Sequence, residues 1–261
     1  MMKTLIISDL HGENPSEFIS QQIKQGIEKL VALGDYDAPE ILEYLLDDLG
    51  IPKIILIGNH DYDLARGIHV ESNFLKAPSQ HYIALWRNGE FSRAREFVLK
   101  NGKLRDNKDE TMGGLIALEK LNEKKIVYVH ASLPSPDKEG KEKIREMLWR
   151  RMVDSETSDS DDEATFYGHF RNFELMARKN YWLMFRGHGH FSGVLSQDAS
   201  DIKGAFKLEE EMSLKLNESK RYIVNIGSFR LGDYAVFDSE TMTIEYKKWG
   251  NQRKEWLKMA P

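Results

Sequence analysis

Five short apolar runs in this chain each stop at carboxylate, imidazole or carboxamide side chains. "IISDLH" ends in Asp9 and His11, "LVALGD" in Asp35, and "IILIGNHD" in Asn59, His60 and Asp61. "IVYVH" ends in His130, and "MFRGHGH" in His188 and His190. Runs this short and continuously apolar read as strands covered on both faces, the pattern of parallel strands in an α/β fold. Helix-like segments over 15–28 and 38–49 separate the first three, so the chain opens as strand, helix, strand, helix, strand. The carboxyl ends of parallel strands share one edge of an open sheet, where ligands bind, so the five polar clusters can meet.

Residues 62–125 show no strand pattern, and "SRAREFVLKNGKLRDNKDETMGGLIALEKL" looks helical. An α-helical insertion over about 62–125, overhanging one end of the sheet, is expected. "KIVYVHASLP" then reads as a strand, "GKEKIREMLWRRMV" as a helix and "DSETSDSDDEAT" as an acidic loop without a basic residue. A helix-like "FELMARKNYW" leads into "LMFRGHGHFSGV". The last β-type runs, "RYIVNIGSFR", "DYAVFDS" and "MTIEYKKW", are expected to build a mixed second sheet. No internal repeat and no Pro-rich or Gly/Ser linker divides the chain, so residues 1–261 read as one domain.

The chain has no cysteine, so a metal site must use nitrogen and oxygen donors. Eight or so convergent donors exceed what one ion can take while leaving room for substrate; two ions sharing a bridging carboxylate can use them. Neutral imidazole and carboxylate suit Mn, Fe, Zn, Co or Ni, with Mn favoured here. Gly12, Gly34, Gly58, Gly187 and Gly189 would let the backbone turn sharply beside the ions. Taken singly, Asp9 reads as a helix cap, Asp35 and Asn59 as turn residues and His130 as a core histidine. Five such clusters at successive strand ends make a shared site the better reading. His69, His81 and His169 lie away from strand ends and read as structural.

The charges nearly balance, 37 basic against 42 acidic residues for a formal charge of −5, and no basic footprint for nucleic acid stands out. In "MMKTLIISDLHGE" the apolar run breaks at Asp9, too early for a signal peptide or a membrane span. A soluble, cytoplasmic protein without a membrane partner is expected.

The order D-x-H, G-D, G-N-H-D, a strand-terminal H and G-H-x-H resembles the calcineurin-like metallophosphoesterase superfamily. The likeness runs between Asp9 and His190, and "VNIGSFR" is similar to that family's N-x-G-S segment. It implies a four-layer α/β/β/α sandwich with a two-metal site on the loops between the sheets. One ion would take Asp9, His11 and His190, the other Asn59, His130 and His188, with Asp35 bridging and His60 facing substrate. "VHASLP" followed by "LWRR" is similar to the phosphoprotein phosphatase and bis(nucleoside) tetraphosphatase branch, which Trp149 and Arg151 match. "GDYDAPE" departs from that branch's G-D-x-x-D-R-G, and Asp61 stands where it usually has Glu.

Two cations roughly 3.5–4 Å apart can lower the pKa of a bridging water and hold the phosphoryl oxygens for in-line attack by hydroxide. His60 would then protonate the leaving oxygen, and beside two cations it needs a supporting carboxylate, Asp37 before Asp61. Arg66, Arg151 and Arg186 lie near the motifs and could clamp phosphate, with Arg151 preferred on the resemblance. A phosphomonoesterase is expected, acting on a phosphorylated small molecule, a nucleotide or phosphoserine and phosphothreonine in proteins. The alternatives are hydrolysis of a dinucleotide polyphosphate or a phosphodiester, and an inactive metal-binding scaffold for a protein partner. The acidic stretch 154–163 lacks the central glycine of an EF-hand loop and would repel anionic polymers, favouring small substrates.

Overall fold

The computed structural model describes residues 2–72, 75–102, 114–149, 161–198, 201–206 and 211–250. The chain begins β1 (Lys3–Ile7), α1 (Ser16–Lys24), β2 (Lys29–Ala32), α2 (Pro39–Leu46), β3 (Lys53–Ile55) and α3 (Asn59–Leu64). It continues through α4 (Ser79–Arg87), α5 (Ser92–Asn101), β4 (Ile116–Leu121), β5 (Lys124–Val129), α6 (Gly140–Trp149) and α7 (Asp161–Lys179). The remainder is β6 (Tyr181–Arg186), β7 (Ser192–Asp198), β8 (Asp201–Phe206), β9 (Met212–Lys215), β10 (Arg221–Ile226), β11 (Asp233–Asp238) and β12 (Thr243–Lys248). Among the described residues no helix is long and apolar enough to cross a membrane.

Two six-stranded sheets carry the fold, one ordered β3-β2-β1-β11-β12-β9 and the other β4-β5-β6-β10-β7-β8. β1, β2 and β3 are parallel, as their helical crossovers require, and β11 joins β1 antiparallel. In the second sheet β5, β6 and β10 are parallel. Strand alternation sorts the apolar residues of β1: Leu5 and Ile7 pack with Phe18, Ile41, Leu42 and Trp86 from the helices, whereas Ile6 faces Tyr128, Phe185 and Val224 of the other sheet. On the far side, Val127, Met184 and Ile223 pack against Met147 and Leu148 of α6 and Phe173 and Met176 of α7. Helices, sheet, sheet and helices thus succeed one another through three apolar clusters. This α/β arrangement is the one expected from the strand pattern.

Three expectations need correction. Within the segment read as a helical insertion, α4 and α5 are helical, but Ile116–Leu121 is a strand paired with β5 from Ile116↔Val129 to Leu121↔Lys124. "IALEKL" is rich in helix formers, and pairing across a two-residue turn overrides that preference. Asn122, with φ 54°, takes the left-handed position the turn demands. Secondly, β10 lies in the second sheet but β11 and β12 extend the first, so both sheets are mixed. Thirdly, Asp161 opens α7, so residues 161–163 of the acidic stretch are helical, consistent with the preference for acids at a helix start. Residues 154–160 lie outside the described residues.

Candidate metal centre

β1, β2, β5 and β6 end on one side of the molecule, and the loops beyond them run in step. Asp9 N–H donates to Gly34 O, His11 N–H to Asp35 O and Gly187 N–H to His130 O, at 3.0, 2.9 and 2.9 Å. Phe229 N–H and Ser228 Oγ–H, just past β10, donate to Ser8 O at 2.8 Å and Asp9 O at 2.7 Å. Asp9, His11, Asp35, Asp37, His188 and His190 all have φ between 48° and 63°, a conformation side chains seldom adopt and one that concentrates at functional sites. His188 and His190 thus take left-handed φ, 63° and 55°, on either side of Gly189. A methyl at Gly187 would sit 1.8 Å from Ser8 Oγ and 2.7 Å from Asp9 Oδ2, and one at Gly58 would sit 2.0 Å from Asp35 Oδ1. Only glycine lets these loops approach so closely.

Among the described residues three sets of donors converge: Asp9, His11, Asp35 and His190; Asp35, His130 and His188; and His11, Asp37 and His60. His190 and His188 thus fall in different sets, and Asp35 belongs to both. Asp9 Oδ2 accepts from Ser8 Oγ–H at 2.5 Å and from His188 N–H at 2.9 Å, which leaves Oδ1 facing His190 Nε2 at 3.3 Å. Asp35 Oδ1 accepts from His60 N–H at 3.0 Å. His130 donates from Nδ1 to Leu33 O at 2.8 Å, so its Nε2 lone pair faces Asn59 Oδ1 at 3.0 Å and Asp35 Oδ1 at 3.5 Å. His11 Nε2 and His190 Nε2 stand 3.0 Å apart.

Asp37 lies behind the donors. Its Oδ2 accepts from His11 Nδ1–H at 3.0 Å and its Oδ1 from His60 Nδ1–H at 2.9 Å, fixing both tautomers. Trp86 Nε1–H of α4 donates to Asp37 O at 2.7 Å. Asp61, the other carboxylate weighed for supporting His60, has a different task. It accepts backbone N–H bonds from Asp35, Tyr36, Asp37 and Gly58 at 2.9–3.1 Å. By bonding Gly58 it also caps α3, which is why a helix starts at Asn59 where the sequence read a strand end.

Burial depresses His11 and His130 to about 4, opposed by Asp37 and Asp9 respectively, and takes His188 well below the usual histidine value. Neutral imidazoles are what a metal needs. Burial would raise Asp9, but His190 and its neighbours outweigh it and hold the carboxyl far below the carboxylate range. Burial, reinforced by Asp9, Asp61 and Asp37 and opposed by His60, raises Asp35. Burial would lower His60, yet Asp35 and Asp37 outweigh it and raise the imidazole to about 10. Burial lowers Arg186 to about 9, with Asp9 opposing, so it stays charged at neutral pH.

These residues fit metal ions. Asp9 Oδ1, Asp35 Oδ2 and both ring nitrogens of His188 are buried without a hydrogen-bond partner. Buried polar atoms are normally satisfied, and facing lone pairs such as His130 Nε2 and Asn59 Oδ1 repel unless a cation lies between them. Arg66 is engaged elsewhere, its guanidinium 3.4 Å over the Tyr62 ring and Nη1–H bonded to Tyr62 O at 2.7 Å. Arg151 lies outside the described residues. His69 bonds Ser79 and His81 packs on Tyr82, neither of them in a donor set. The supports from Ser228, Trp86 and the Asp61 clamp escaped the sequence reading, because each acts on backbone atoms of a distant segment; that from Ser8 escaped it too, although it acts on the neighbouring side chain.

A family model described as the calcineurin-like phosphoesterase superfamily domain matches residues 2–194. No curated protein sequence matches the chain. Among solved structures, a metallophosphoesterase from Sphaerobacter thermophilus superposes with a TM-score of 0.59 at 18% identity, covering 99% of this chain and 94% of that one. A hypothetical protein from Pyrococcus horikoshii OT3 gives 0.57 at 13% identity, covering 100% and 95%. At such identities these two likenesses speak for the fold.

Proposed function

The chain belongs to the calcineurin-like phosphoesterase superfamily, a family of phosphoric ester hydrolases that use divalent metal, and we propose that it is a phosphomonoesterase. The observation that carries this reading is the Asp37 carboxylate shared by His11 and His60, which ties a metal donor to a proton donor. Asp9, His11 and His190 would hold one ion and Asn59, His130 and His188 another, with Asp35 serving both. Bound there, a pair of divalent ions, manganese in our reading, supplies Lewis-acid charge and an activated water.

The protein's own part is orientation and proton transfer. His130 is pinned through Nδ1 by Leu33 O and His11 through Nδ1 by Asp37, so each presents Nε2 to the centre. His60, 6% exposed, is held in its protonated form by Asp35 and Asp37, and its Nδ1 contact turns Nε2–H away from Asp37. It would give that proton to the leaving oxygen of an ester, whose alkoxide is a poor leaving group without one.

The test is a panel of a phosphomonoester, a phosphodiester and a dinucleotide polyphosphate on Mn²⁺-loaded protein, with His60→Ala alongside. We expect the monoester to turn over fastest, and His60→Ala to keep its metal while losing roughly 10²–10⁴ in kcat. An unchanged rate in the variant removes the acid role. Preference for the dinucleotide or diester moves the substrate class, and metal binding with no hydrolysis makes the protein a scaffold.

A further inference from the structure

We propose that Arg186 is the phosphoryl-binding cation of this centre, taking an oxygen of a substrate ester or of free orthophosphate once metal is bound. The inference rests on the phosphoesterase reading and adds to it a subsite for the anion.

Arg186 closes β6 two residues before His188 and is 1% exposed. Its hydrogen bond is a long one, from Nε to Gly187 O at 3.4 Å, and Nη1 is buried without a partner. No carboxylate of the described residues comes within 4.0 Å of it. A guanidinium is permanently charged, and in a low-dielectric interior it is costly to leave without an anion. The backbone of Arg186 pairs with Val129, which precedes His130, and with Asn225, Gly187 N–H bonds His130 O at 2.9 Å, and the charge of Arg186 acts on Asp9, His130 and His188.

The unsatisfied atoms here have two signs. Asp9 Oδ1, Asp35 Oδ2 and the His188 ring are acceptors and fit cations, but Nη1 of Arg186 is a donor and fits an anion. Divalent ions on those acceptors would take up Asp9, the carboxylate whose charge favours the Arg186 cation, and would bring more positive charge beside it. A phosphoryl group held at the same centre supplies a counter-charge, through charge-assisted bonds that suit guanidinium geometry. Of the other arginines near the motifs, Arg66 is held over Tyr62, Arg230 donates Nη1–H to His11 O at 3.2 Å, and Arg151 lies outside the described residues.

The experiment compares wild type with Arg186→Met, both Mn²⁺-loaded and matched in measured metal content, by calorimetric titration with orthophosphate. We expect the variant to bind phosphate about tenfold or more weakly, and KM for any hydrolysed ester to rise by a similar factor while kcat changes less. Equal phosphate affinity overturns the inference. Should the Met variant lose metal or fail to fold, the wild type decides. In Zn²⁺-loaded protein with ¹⁵N-labelled arginine, the Arg186 Nε–H resonance, identified by its absence in Arg186→Lys, moves when orthophosphate is added; a resonance that stays in place overturns the inference. Hydrolysis is scored separately. Arg186-dependent phosphate binding in a protein inert towards every ester keeps the subsite and removes the phosphoesterase reading, and hydrolysis with Arg186-independent affinity does the reverse.

Discussion

Two buried aspartates divide the tasks behind the donors. Asp61 takes four backbone N–H groups and shapes the loops; Asp37 takes two imidazole N–H groups and aims them. Their substitutions should therefore fail differently. Asp61→Ala strands several buried donors and should lower the unfolding free energy by about 2–4 kcal/mol. Asp37→Asn preserves the shape, so we expect a stability change of about 1 kcal/mol, a fall in kcat of roughly 10²–10⁴ and metal affinity weaker by about 10–100-fold. Urea unfolding with metal titration and steady-state kinetics separates the two, and equal stability losses would contradict the division.

At the scale of elements, α4 reaches the centre through one indole. Trp86 is 1% exposed and its Nε1–H holds Asp37 O, so a helix outside both sheets braces the carboxylate that aims His60. Trp86→Phe should keep the packing and the metal, cost about 1–3 kcal/mol for the unpaired carbonyl, and lower kcat more than it raises KM. A variant with wild-type kcat would show that the brace is dispensable. The sequence disclosed β1 to β3, β5 and β6 and the residues at their ends, because an apolar run stopping at polar side chains is a local signal. It did not disclose β4, whose Ala, Leu, Glu and Lys favour helix until Val129 to Lys124 pair with them. Nor did it show that β11 returns to β1, since that choice depends on partners more than 200 residues away rather than on "DYAVFD" itself. The donor sets were legible as types and order. The left-handed φ of His188 and His190 was not, for spacing alone is silent about φ.

Over the whole molecule, polar bridges cross between the sheets. Tyr246 of β12 donates its hydroxyl to Gly193 O and Asn225 O in the other sheet. Lys29 of β2 meets Glu119 of β4 at 2.7 Å, and Tyr128 donates to the same carboxylate. Burial raises Tyr36, Tyr128 and Tyr246 well above 10, with Asp61 adding at Tyr36 and Glu119 at Tyr128. The unfolded chain loses these protons near pH 10 while the native protein keeps them. Their stabilisation is therefore complete below pH 10 and declines above it, by up to about 1.4 kcal/mol per pH unit for each ring. Urea unfolding between pH 9 and 11.5 should show the decline, and Tyr246→Phe should make it shallower.

The seam between the sheets also sets when the site can exist. Both donor sets that contain Asp35 need a histidine from beyond residue 129, and His11 meets its partner His190 across a separation of 179 residues. A nascent chain displays Asp9, His11 and Asp35 long before those histidines have been made. Neither set can close until β6 has emerged and docked, so full-strength metal capture is a late event of biosynthesis and reports that both halves of the molecule have come together.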